Sequence, residues 1–146
     1  MSTSLKHKLI NMFREVLVYH SDSLAFRAKL LTLLVLGSGE SINDCEEQKL
    51  EEIAQVLYPD DRDRAQVLLE AVHEFYDKIT ERNNLVYDSL IQSIQDDVRH
   101  KPRFAAKIDT PLFGKLKACI QDEDDRIFHE RILTFLDNLK DEYGKL

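Results

Sequence analysis

The chain has no tryptophan, two cysteines, four glycines and three prolines among its 146 residues. So few turn-formers argue against a many-stranded sandwich or barrel and suit helices joined by short loops. Cys45 and Cys119 lie far apart and have no companion Cys or His at zinc-finger spacing, so neither a disulfide framework nor a structural zinc is expected. Reduced thiols in a cytoplasmic protein are the expectation. Positive charge is also in deficit: 20 Lys plus Arg against 27 Asp plus Glu give a net charge of -7. That balance argues against nucleic acid as the main partner, because phosphates attract basic surfaces. Long apolar runs are missing too. The most apolar stretch, from Ala28 to Leu36, is interrupted by Lys29 and Thr32 and falls well short of the roughly 20 residues that cross a bilayer. No transmembrane segment is expected, and the start, MSTSLKHKLINMF, lacks the apolar core and cleavage site of a secretory signal.

What is present is helical periodicity. Leu5, Leu9, Met12, Phe13, Val16 and Leu17 recur on one face and predict an amphipathic helix ending near His20. Ser21 or Asp22 then caps a helix through Leu24, Phe26, Leu30, Leu31, Leu33, Leu34 and Leu36, apolar nearly all the way round and therefore central. Gly37 and Gly39 stop it. Asn43 followed by Glu46 reads as a capping box opening a helix with the stripe Leu50, Ile53, Ala54 and Leu57. Pro59, Asp60 and Asp61 turn the chain into a helix carrying Leu68, Val72, Phe75, Tyr76 and Ile79. After Asn83 and Asn84, another carries Val86, Tyr87, Leu90, Ile91, Ile94 and Val98 and ends before Pro102. The stretch from Phe104 to Ile108 fits no pattern clearly. Thr110 before Pro111 predicts an N-cap and a shorter helix through Phe113, Leu116, Cys119 and Ile120; a last helix carries Ile127, Phe128, Ile132, Phe135, Leu136, Leu139 and Tyr143. No segment alternates with period two long enough to compete as a strand. The expectation is one all-α domain over residues 1–146, a compact bundle of about seven helices.

Enzyme-like motifs are weak. Glu70-x-x-His73 has the spacing of a di-iron bundle unit, but at about 100° per residue Glu70, His73, Glu74 and Asp77 face away from the apolar stripe. A solvated polar face is expected there. The turn Leu36-Gly-Ser-Gly-Glu-Ser41 has the glycines of a phosphate loop but neither a preceding strand nor a Gly-Lys-Ser/Thr ending. The histidines, His7, His20, His73, His100 and His129, are scattered and expected outside the core. No catalytic residue is assigned, and an enzyme of unrecognised type is the weakest of the readings. Two acidic clusters, Asp60, Asp61 and Asp63, then Asp122, Glu123, Asp124 and Asp125, precede expected helices, where carboxylates favour the helix dipole. The alternative reading is a divalent-cation or small-ligand sensor using the turn at Gly37 to Glu46 and the acidic turn at Asp122 to Asp125, with weak Ca²⁺ or Mg²⁺ binding but without EF-hand spacing.

Charge is unevenly spread. Between Arg99 and Lys117 six basic residues stand against Asp109 alone, a segment of +5 that leaves the remainder at -12. Arg99, Lys101, Arg103 and Lys107 are thus candidates for docking an acidic partner or a phosphate headgroup, with pairing inside the chain as the plainer alternative.

The stretch LLTLLVLGSGESINDCEEQKLEEIAQVL, an apolar helix, a glycine turn, an isoleucine and a glutamate leading a second helix, resembles the unit of the tellurite-resistance TerB-like family. Gly39, Ile42 and Glu46 match. A second occurrence is LKACIQDEDDRIFHERILTFLDNL, with Asp124, Ile127 and Glu130 corresponding, which divides the chain into two related halves. Ser38 stands where the family has Asp, and Asp125 where it has glycine. The resemblance implies an all-helical, non-catalytic interaction module in a stress-response or membrane-associated complex, without a cofactor. It also implies cation binding, for which Glu46, Asp122, Asp124 and Glu130 are the candidate ligands. Glu46 has a simpler use, since its place four residues before Leu50 puts it on the core stripe, where capping supplies a partner.

Overall fold

A computed structural model describes residues 22–36, 42–81 and 85–144. Among them the chain forms α1 (Asp22–Leu36), α2 (Asp44–Leu57), α3 (Arg62–Glu81) and α4 (Leu85–His100), then a 3-10 helix, η1 (Pro102–Lys107). The short α5 (Thr110–Phe113), a second 3-10 helix, η2 (Gly114–Cys119), and α6 (Glu123–Gly144) complete the order. No strand occurs among the described residues, so the all-α expectation holds. The helix expected over 5–20 and the turns at Gly37, Gly39, Asn83 and Asn84 lie outside them.

The core forms around α1. Leu24, Phe26, Ala28, Leu30, Leu31, Leu33, Leu34 and Val35 are all buried, which a helix apolar round its circumference requires. Even Thr32 is enclosed; its hydroxyl donates to the Ala28 carbonyl at 2.7 Å, so burial leaves no donor unmet. α3 and α4 pack along α1, α2 packs on α3, and η1 lies across α1 between α4 and α6. Phe104 of η1 stacks on Phe26 of α1 with ring centroids 5.0 Å apart.

Capping follows the sequence closely at α2. The Asn43 side chain accepts from the Glu46 amide at 2.8 Å, and Glu46 Oε1 accepts from the Asn43 amide at 3.2 Å. That box explains how a glutamate only 1% exposed is tolerated. Asp61 caps α3 by accepting from the Arg64 amide at 3.0 Å, and Asp122 caps α6 by accepting from the Asp125 amide at 3.2 Å.

Four expectations are corrected. Cys45 and Cys119 are not free thiols: they form a disulfide that joins the first turn of α2 to the end of η2, with Cα atoms 5.6 Å apart. A disulfide persists in oxidising compartments and is reduced in the cytosol, so the cytoplasmic expectation loses the support it drew from free thiols. His129 is not outside the core but fully buried on α6. The expected helix from Thr110 is α-helical for only four residues; Gly114 follows and the chain tightens into η2. Its cap is Asp109, which accepts from the Leu112 amide at 3.1 Å, while Thr110 donates to Asp137 of α6 at 2.7 Å. Finally, α6 begins at Glu123, so Glu123, Asp124 and Asp125 form its first turn instead of preceding it.

Candidate cationic site

The basic segment begins at the end of α4 and continues through η1, which Pro102 opens at a position where a missing amide proton costs nothing. Phe104, Ala105 and Ile108 anchor this short helix in the core, leaving Arg103 exposed and Lys107 half-buried. The Arg103 guanidinium lies 5.3 Å from the Phe104 ring centre and the Lys101 ammonium 5.5 Å from it. An aromatic face attracts cations through its quadrupole, so Phe104 holds both side chains against η1.

On α1, Arg27 reaches Tyr58 at the end of α2. Its guanidinium donates from one terminal nitrogen to the Tyr58 hydroxyl at 3.2 Å and lies 5.4 Å from that ring's centre. Arg64 of α3 reaches the same ring at 5.7 Å and pairs with Asp61 at 3.8 Å. Arg27 itself has no ion pair among the described residues, and its Nε is shut off from water without an acceptor. A guanidinium has five N–H donors, so one bond to Tyr58 leaves it under-satisfied. Burial, reinforced by the positive charges of Arg27 and then Arg103, pushes the Lys107 ammonium below its ordinary value.

The neighbouring cations behave differently. Lys29 of α1 donates at 2.7 Å to both Ser93 and Asp97 of α4. Arg99 sits 3.6 Å from Asp96 on its own helix, and Lys117 of η2 pairs with Glu130 of α6 at 2.5 Å. Of the four residues assigned to docking, Arg99 thus has a carboxylate of its own, Lys101 and Arg103 pack on Phe104, and Lys107 is half-buried on η1. A hollow of about 230 Å³ is lined by Ala25, Lys29, Asp97, His100, Lys101 and Phe104, so Lys101 alone of the four borders it.

The sequence pattern missed Arg27 and Tyr58. A signal for Arg27 existed, since a cation inside an otherwise apolar helix needs something to face; nothing local reveals that the something is Tyr58, 31 residues on.

The four candidate metal ligands do not converge. Glu46 caps α2, Asp122 caps α6, Asp124 is exposed on the first turn of α6, and Glu130 pairs with Lys117. The Lys117 hydrogen bond and charge hold the Glu130 carboxyl below the usual carboxylate range. Among the described residues no three His, Cys, Asp or Glu side chains gather as a metal group. Glu70 is exposed, and His73, on the expected solvated face with its side chain 43% exposed, meets Glu47 of α2 at 2.5 Å and ties α2 to α3. The buried His129 is close to the Leu34 carbonyl at the end of α1, yet neither ring nitrogen completes a hydrogen bond. Among the described residues no helix is long and apolar enough to cross a membrane.

The chain matches no family model, no curated protein and no solved structure.

Proposed function

We propose that this protein is a non-catalytic helical interaction module that docks an acidic protein partner through the cationic face shared by α1 and η1. The observation that carries the reading is a contrast in pairing. Lys29, Arg99 and Lys117 each have a carboxylate inside the chain, whereas Arg27, Arg103 and Lys107 have none among the described residues. In a chain of net charge -7, carboxylates are plentiful, so three cations without a carboxylate of their own among the described residues stand out against an acidic background. Such a face steers an oppositely charged partner and sets its orientation. The proposal extends to a TerB-like module in a stress-response or membrane-associated complex. What supports that extension is the turn-and-helix pattern of Ile42 and Glu46, whose carboxylate is used for capping.

A fluorescently labelled glutamate-rich peptide, titrated with the full chain while anisotropy is followed, tests the docking. Binding weakened at least about tenfold by R103E together with K107E, and weakened again by added salt, is the expected result. Equal binding by wild type and the double variant would overturn it.

A further inference from the structure

We infer that Cys45 is a thiol-exchange site, at which a thiol carrying no negative group besides its attacking sulfur opens the Cys45–Cys119 disulfide in the folded protein. The disulfide is then a reversible strap between α2 and η2. The inference is independent of the cationic face and rests on the unequal surroundings of the two cysteines. Cys45 is exposed in the first turn of α2, whereas Cys119, at the end of η2, is 8% exposed. A thiolate attacks a disulfide only where solvent gives it access, and exposed disulfides are the labile ones. Exposure therefore selects Cys45 as the residue attacked and Cys119 as the first leaving group.

The exchange balances in two steps. A reductant thiolate attacks the Cys45 sulfur, the disulfide bond breaks, and Cys119 departs as a thiolate that takes a proton from water. A second thiolate attacks the reductant's own sulfur in the mixed disulfide and releases Cys45. Two electrons pass to the protein, which gains two thiols, and two small thiols become one small disulfide. Charge at the site selects the thiol: Asp44 is exposed beside Cys45 and Glu47 partly so, and both repel an anionic reagent.

Both ends of the strap have other anchors, so opening it leaves the chain folded. Leu50, Ile53 and Ala54 seat α2 in the core, and Glu47 meets His73 of α3. Leu116 seats η2, whose Lys117 pairs with Glu130 of α6. What opening removes is the covalent tie across the contact between α2 and η2.

The test treats the full, oxidised chain with 2-mercaptoethanol, cysteamine or thioglycolate, compared at equal thiolate concentration and fixed ionic strength. Samples are quenched with an alkylating agent and mapped by peptide mass spectrometry. The expected intermediate has the small thiol on Cys45 and the alkyl group on Cys119, and forms at a rate unchanged by urea well below the unfolding transition. Cysteamine is expected to react at least about twofold faster than thioglycolate. Amide NMR of the reduced chain is expected to show every described helix retained, with shift changes confined to the first turn of α2 and to η2. A small thiol found mainly on Cys119, a rate that rises with urea in parallel with unfolding, or thioglycolate as fast as cysteamine would overturn the exchange site. Loss of helical signal on reduction, or shift changes as large in α1 and α4, would make the disulfide a staple of the whole fold and overturn the strap.

Discussion

Cys45 and Cys119, 74 residues apart in the chain, are joined by a disulfide that fastens α2 to η2. Closing so long a loop removes conformational freedom from the unfolded chain and stabilises the fold by about 2–4 kcal/mol. Reductant, or C45S with C119S, is therefore expected to lower the unfolding midpoint by about 5–15 °C. A thiol assay on the denatured, unreduced protein is expected to find no free thiol and, after reduction, both cysteines. Two thiols before reduction would refute the link.

His129 is enclosed in apolar surroundings with neither ring nitrogen bonded, and burial pushes its pKa down; Lys117 adds to that, while the Leu34 carbonyl and Glu130 oppose it. Because the folded state holds the ring neutral, the unfolded chain takes up the proton first as pH falls. The stability this group confers is complete above the unfolded value of about 6.5 and is lost below it, at a slope of at most about 1.4 kcal/mol per pH unit. H129L removes an unsatisfied polar ring from the core, so it is expected to match or exceed wild-type stability and to flatten the slope between pH 7 and pH 5. Urea titrations at several pH values check both; a variant as pH-sensitive as wild type contradicts the assignment.

The legible part of the fold was whatever local spacing controls. The stripes of α1 to α4 and the Asn43–Glu46 box follow directly from residue type and interval. Even His129 had a signal, since His129, Ile132, Leu136 and Leu139 share one buried stripe, whereas Ile127 and Phe128, read as core, are 44% and 36% exposed. Apolar identity outweighed spacing there, and it misled. The disulfide and the Arg27–Tyr58 contact were not legible, because each depends on how distant helices pack, and no interval along the chain encodes that. Of the cationic site, Arg103 and Lys107 were visible as excess charge; the third cation was not.

N43A is expected to cost about 1 kcal/mol by leaving α2 uncapped and depriving the nearly buried Glu46 of its local frame. E46A disturbs the same box, so the two losses should combine to less than their sum. Chemical denaturation of the single and double variants measures this. Strict additivity would mean that the two side chains act independently.

Lys29 bridges α1 to Ser93 and Asp97 of α4, with both members of the ion pair mostly shielded. A double-mutant cycle on K29M and D97N is expected to give a coupling of about 1 kcal/mol that survives moderate salt better than an exposed pair would. A coupling near zero would assign the contact no part in holding the helices together.

The most direct test of the cationic face is an amide NMR titration of the isotopically labelled full chain with the glutamate-rich peptide. Shifts concentrated at Arg27 and along Arg103 to Lys107, and lost in the R103E and K107E double variant, are the predicted result. Shifts confined to the acidic turns at Asp60 or Asp122, or spread evenly over the surface, would contradict the account.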